Sequence, residues 1–338
     1  MLSVGYDICK FSKPTYLYEY SGHIPKLDDI AHSPATVEFL NKCGVDFYLG
    51  EPLSIGTPDN VVNCSDTDFR APELDSIRNY ILRNNLTNVT VYVGDYNIEK
   101  YTDYYSPYMK LVVKDIFLYS TKLMEPSEPG LQTNITFKFV NLNGRYTEYR
   151  HIIASFLKDK PAIMSWFHDK DLPVKTDWYD LTTWNSSITE TLNGEIGIRI
   201  VDKPYSTFAQ FSGKLEEVYA NCFCDIVSES RFTSPLGNIS EKTTRSILYK
   251  KPFILAASYK TLEYLKTLGF KTFSDFWDES YDECENHEGR IKKILALIDH
   301  INSMSIDELK LMLHRMEPIL EHNFENLNKI SSFGKRKG

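Results

Sequence analysis

The chain has 338 residues, 42% hydrophobic and 25% charged, with a net charge of −8 at pH 7. That length and balance suit two globular domains, each burying its own core, and exclude a chain too polar to fold. The acidity argues against a broad, non-specific grip on a nucleic-acid backbone, though not against a local basic groove.

In chain order, Met1 to Lys10 lacks the continuous apolar core of an export signal, and no segment reaches the length of a membrane span. A cytoplasmic protein is expected, and sequons such as those at Asn85, Asn134 and Asn238 then read as accidents of composition. Residues 1–124 form a first lobe. Val45 to Leu49 and Val89 to Val93 are strand-like, and each is followed by Gly and an acidic residue, Gly50-Glu51 and Gly94-Asp95. Leu74, Ile77, Ile81 and Leu82 have helical spacing between them, so the pattern predicts β–α–β and a parallel sheet. Lys110 to Leu118 gives a further strand. The chain holds 22 Tyr and 19 Phe, and runs such as Tyr16 to Tyr20 and Tyr101 to Tyr105 read as core and surface filler. Glu125 to Gly130, with two prolines, is the linker.

Residues 131–304 form the second lobe, with strands near Phe137, Ala162, Ile196, Phe223 and Phe253. Phe137 to Gly144 alternates apolar residues into an Asn-Gly turn, Arg145 to Arg150 follows, and a helix covers His151 to Leu157. Strand, turn and helix in that order build a nucleotide crevice. There Arg145 or Arg150 could grip a diphosphate bidentately; Arg150 could equally pair with Glu148 or solvent. The second such segment is Asn221 to Ala257. The apolar run Phe223 to Val227 ends in Ser228, Glu229 and Ser230, and Ser240 N-caps a helix of about ten residues that opens Glu241-Lys242-Thr243. A helix starting beyond a strand's carboxyl end aims unpaired N–H groups and a positive dipole into the crevice. Lys242 adds a full charge there, and Glu241 is placed to accept from a sugar diol. The plainer alternative is an ordinary capped amphipathic helix.

Cys222 and Cys224 lie two apart, on one side of their strand, and two thiols without nearby His or Cys partners make a poor zinc site. The eight histidines show no H-x-x-x-H spacing, and no cofactor or metal is expected. At the C-terminal end, Glu283 to Met304 is helical. The final segment, 305–338, holds a helix from Ile306 to Ile330, a basic tail Lys335 to Lys337, and a capping box of Ser305 and Glu308. Pro318 should kink or break that helix.

The run Ser228-Glu229-Ser230, then Ser240-Glu241-Lys242, then Lys251-Pro252-Phe253-Ile254 resembles the donor-binding segment of the alpha-1,3-fucosyltransferases and of related glycosyltransferases of large phages and viruses. The turn Asn143 to His151 is similar to the one that opens the donor domain in the phage and viral members. The likeness spans roughly Asn141 to Asp282 and departs at Ser228 to Ser230, where the family's asparagine is missing. It implies an α/β fold of two Rossmann-like lobes (GT-B-like) with C-terminal helices, and a transferase that uses a nucleotide sugar. Glu241 would meet the donor ribose and Lys242 the diphosphate, with Ser240, Thr243, Asn143, Arg145, Arg150, Ser228 and Glu229 around them.

The implied chemistry is an inverting displacement without a metal held by an Asp-x-Asp motif. Leaving-group charge would fall on Lys242, an arginine and a helix N terminus. Glu51, or failing it Asp95, would be the general base, because each follows a strand end in the first lobe, across an expected cleft from Lys242. The spaced glutamate pair of many retaining enzymes is absent, since Tyr249 stands eight after Glu241. A phage-encoded enzyme acting in the host cytoplasm on hydroxymethylated DNA bases, or on a glycan, fits this reading. The alternative is a nucleotide- or carbohydrate-binding protein without turnover.

Overall fold

The computed structural model describes residues 15–18, 31–49, 71–114, 134–143, 147–157, 159–166, 218–234 and 236–332. Those up to 114 form one compact unit and those from 134 a second. Glu51, Arg145, the linker Glu125 to Gly130, the strand expected near Ile196 and the basic tail lie outside the described residues.

Unit 1 holds β1 (Thr15–Tyr18), α1 (Pro34–Cys43), β2 (Val45–Leu49), α2 (Pro72–Arg83), β3 (Val89–Val93), α3 (Glu99–Tyr105) and β4 (Lys110–Val113). The four strands are parallel in the order β1-β2-β3-β4. Each step goes the same way across the sheet, so right-handed crossovers put all three helices on one face. The period of two selects that face: Val45, Phe47 and Leu49 of β2 and Val89, Val91 and Val93 of β3 are buried, while Asp46, Tyr48, Thr90 and Tyr92 are not fully covered. Tyr80 of α2 meets Phe47 edge-to-face at 5.9 Å. Ser33 caps α1 by accepting from Thr36 N–H. Gly44 ends that helix at φ 77°, where a Cβ would come within 2.9 Å of Asn88 Nδ2. The aromatic run 101–105 divides between core and surface, as expected: Tyr101 and Tyr105 are buried, Tyr104 is exposed, and Tyr105 Oη donates to Asp75 Oδ1 at 2.9 Å. The first aromatic cluster contains a strand, β1, that composition hid.

Unit 2 comprises β5 (Phe137–Asn143), α4 (Glu148–Leu157), β6 (Ala162–Trp166), β7 (Cys222–Ser228), α5 (Glu241–Leu248), β8 (Phe253–Ala256), α6 (Thr261–Thr267), α7 (His287–Ser303) and α8 (Ile306–Ser332). Its strands are again parallel, in the order β6-β5-β7-β8. From β5 the chain crosses to β6 on one side, and from β7 it crosses to β8 on the other. Right-handed crossovers therefore place α4 and α5 on opposite faces. Packing agrees, with α7 against α4 and α8 against α5. Covered on both sides, β7 is buried along its whole length, which explains a sequence that is apolar but for Asp225 and the terminal Ser228.

One polar group is embedded in that strand. Asp225 Oδ2 accepts from Tyr219 Oη and Ser246 Oγ, both at 2.6 Å, and Arg245 Nε donates to Tyr219 Oη at 2.8 Å. The network ties α5 to β7. Burial pushes the Asp225 carboxyl above its ordinary range despite Arg245 and the two hydroxyls.

The C-terminal helices hold two results of their own. Ser305 and Glu308 form the expected capping box, each side chain meeting the other's backbone N–H. Pro318 does not break α8, which runs through it to Ser332. Leu309, Leu313, Met316, Leu320, Asn323 and Leu327 make one buried stripe spaced by fours and threes, and Pro318 sits on the solvent side of it. Packing before and after the proline outweighs the lost hydrogen bond. Lys138 Nζ donates to Asn302 O and Met304 O, capping the C-terminal end of α7.

Candidate functional site

The strand order of unit 2 reverses between β5 and β7. In an open parallel sheet that reversal leaves a crevice outside the carboxyl ends of the two strands, because the helices that follow them depart to opposite faces. Asn143 ends β5 and Ser228 ends β7, so the segments leading to α4 and α5 both leave from this place.

On the β7 side the backbone is held from three directions. Arg150, in the first turn of α4 and 4% exposed, donates through Nη2 to Ser228 O at 3.0 Å and Glu229 O at 2.9 Å. Tyr149 Oη also donates to Glu229 O, and the Tyr149 ring stacks on Phe232 at 4.7 Å. From α7, the buried Arg290 donates to Phe232 O and lies 4.5 Å over the Phe232 ring. Glu229 closes the loop from inside. Its fully buried carboxylate accepts from Ser240 N–H at 3.0 Å, Thr243 Oγ1 at 2.6 Å and the Ser240 hydroxyl. A residue expected in a polar loop is thus the clasp that brings the start of α5 back to the end of β7.

Ser240 is the N-cap, as the sequence indicated, and its hydroxyl accepts from Lys242 N–H at 3.3 Å. Lys242 Nζ lies 3.1 Å from Ser240 Oγ and 3.1 Å from Glu241 Oε1. Burial would raise the Glu241 carboxyl, but Lys242, the helix backbone and Arg245 outweigh it and hold it below its ordinary range. Lys242 therefore stands as a cation beside an ionised carboxylate at a helix N terminus. That cation and the dipole together suit an anionic ligand.

On the β5 side, Asn141 Nδ2 donates to Ile226 O at 2.6 Å and to Ser228 Oγ at 3.2 Å, and Asn143 Nδ2 donates to Asn141 Oδ1 at 2.6 Å. Both asparagines are buried and share one strand face. The structure thus brings Asn143, Arg150, Ser228, Glu229, Ser240, Glu241, Lys242 and Thr243 to one edge of one sheet. It also corrects two local expectations: helix α4 begins at Glu148 rather than His151, so Arg150 is helical and its guanidinium donates to the Ser228 and Glu229 carbonyls, and Ser228 belongs to the strand. Asp95 lies two residues past β3 in unit 1, fully buried.

Sequence reasoning missed Asn141, Tyr149 and Arg290. Asn141 was legible, since two asparagines two apart on a strand must share a face. Arg290 carries no local signal for this role, because the Phe232 carbonyl it reaches lies 58 residues away.

Among the described residues no helix is long and apolar enough to cross a membrane. Burial pushes the Cys222 thiol up to about 12 and the Cys224 thiol well above its ordinary value, so both are protonated core residues.

No family model and no curated protein matches the chain. Among solved structures it is similar to the DNA-modifying enzyme beta-glucosyltransferase, crystallised with and without uridine diphosphoglucose. Identity is 9%, 95% of each chain is covered, and the TM-score is 0.43. A likeness that distant bears on neither substrate nor residues.

Proposed function

We propose that the crevice between β5 and β7 binds the diphosphate of a nucleotide sugar, and that the protein transfers the sugar to an acceptor hydroxyl with inversion. One observation carries this reading: at a strand-order reversal, a capped helix N terminus and the Lys242 ammonium stand together beside a buried, hydrogen-bonded loop. The family resemblance of Ser240-Glu241-Lys242 points the same way. On donor binding Lys242 would exchange Glu241 for phosphate oxygens, freeing that carboxylate to accept from the ribose hydroxyls.

The leaving diphosphate gains charge as the glycosidic bond breaks, so Lys242 and the helix dipole lower the barrier more than they tighten the ground state. No resident metal or cofactor is needed for this charge stabilisation. Arg150, with Nη2 already on two carbonyls, serves chiefly to position the loop. Arg145 is the arginine proposed for the diphosphate. The general base is proposed to be Glu51, with Asp95 second. The proposed acceptor is a hydroxymethylated base in DNA, with a glycan as the other candidate.

Incubation with a panel of nucleotide sugars should release free nucleoside diphosphate slowly without acceptor, which a binding module would not do. Lys242→Ala should cut turnover at saturating donor by ten-fold or more while weakening nucleoside binding much less. Unchanged turnover would remove the central claim. Mass analysis of nucleosides from treated hydroxymethylated DNA identifies the acceptor.

A further inference from the structure

We infer that Asn238 reads the nucleoside: its Oδ1 accepts a hydrogen bond from an N–H or O–H group of the nucleotide bound in the crevice. This rests on the proposed donor site and extends it to a residue that carries specificity rather than charge. Asn238 lies in the β7–α5 loop, two residues before the N-cap of α5, and only 3% of it is exposed. Its Oδ1 is buried and, among the described residues, has no hydrogen-bond partner.

The surrounding loop is not loosely made. Leu236 O accepts from Ser258 Oγ at 3.0 Å, and the Ser240 N–H and hydroxyl are both taken by Glu229. On the other side of the strand-order reversal, one residue before α4, Thr147 Oγ1 is likewise buried without a partner among the described residues. Two unsatisfied atoms therefore flank the two helix starts that leave the crevice.

A buried carbonyl oxygen without a donor is costly, and an apolar side chain of similar size would suit folding better. Retention of such a group is explained when a ligand supplies the missing donor. The chemistry narrows that ligand. An amide oxygen only accepts, so phosphate oxygens, which also only accept, cannot satisfy it. Ring N–H, exocyclic amino and ribose hydroxyl groups can. Thr147, a hydroxyl, can donate to phosphate. The pair thus fits a nucleoside phosphate whose anionic end and donor end are met by different segments.

The test uses the full chain and calorimetric binding of UDP, CDP, GDP and ADP. The best binder is then compared with its 2′-deoxy, 3′-deoxy and base N-methylated analogues, on wild type, Asn238→Leu and Lys242→Ala. Asn238→Leu should raise the melting temperature of the free protein by about 2–4 °C and weaken the parent nucleotide at least ten-fold. One analogue should lose a similar factor on wild type and little more on Asn238→Leu, which identifies the donor as ribose or base.

Wild-type affinity in Asn238→Leu, or losses from every analogue that are the same on both proteins, overturns the inference. If Lys242→Ala loses binding while Asn238→Leu does not, only this inference falls. If wild type binds none of the four nucleotides, the donor-site reading falls with it. Asn238→Ala repeats the comparison should the leucine variant not fold.

Discussion

Arg150 and Lys251 show how a buried cation acts on stability in opposite senses, according to what it meets. Arg150 satisfies two carbonyls where β7 ends, and hydrogen bonds from a charged donor are worth about 1.5–3 kcal/mol each. Arg150→Met should lower unfolding free energy by about 3 kcal/mol in urea titrations, and a loss below about 1 kcal/mol would show the loop to be held by other contacts. Lys251 is the costly case. Burial drives its ammonium down to about 8 from 10.5, against an opposing effect of Cys222. Below pH 8 the folded state must keep a charged, desolvated amine. Between pH 8 and 10.5 the unfolded chain binds more protons, so this residue's contribution to stability climbs with pH. Lys251→Met should therefore be more stable than wild type at pH 7, by about 2–3 kcal/mol. The advantage should shrink across that pH window in parallel denaturation curves, and a constant gap would contradict the assigned shift.

Among the elements, α8 overrides its own local sequence. Pro318 removes one backbone donor and crowds the preceding turn, yet the buried stripe from Leu309 to Leu327 runs past it. Pro318 is exposed, so replacing it leaves that packing intact. Pro318→Ala should raise the melting temperature, with a gain of up to about 3 kcal/mol set by the helix-interior cost of proline. A fall in melting temperature would mean that Pro318 makes a stabilising contribution of its own to α8. Helix α5 is the opposite case. Its eight residues are too few to persist alone, and it forms because Ser240, Glu229 and Asp225 fix both its start and its inner face.

At the scale of the whole chain, the two units repeat one construction with different winding. Unit 1 steps in one direction from β1 to β4, whereas unit 2 reverses between β5 and β7. Among the described residues only unit 2 therefore has a switch point, and the proposed ligand site lies there. Hydrogen exchange on the full chain with saturating nucleoside diphosphate should show new protection in segments 138–157 and 222–248. Protection confined to residues 71–114 would place the nucleotide in the wrong unit.

The sequence by itself determined the periodic parts. Alternation in β2 and β3, the helical spacing of α2, the N-cap Ser240 and the Ser305–Glu308 box are local signals between residues a few positions apart, and each appears in the structure. Strand β1 stayed hidden because an aromatic cluster reads equally well as filler. Tertiary structure decided what no window of sequence contains. The order β6-β5-β7-β8 depends on pairing between strands up to 85 residues apart, such as Phe137 with Cys222. The roles of Glu229, Arg150 and Arg290 follow from that pairing, because a carboxylate or guanidinium becomes a clasp only once folding removes water and leaves backbone groups as its available partners.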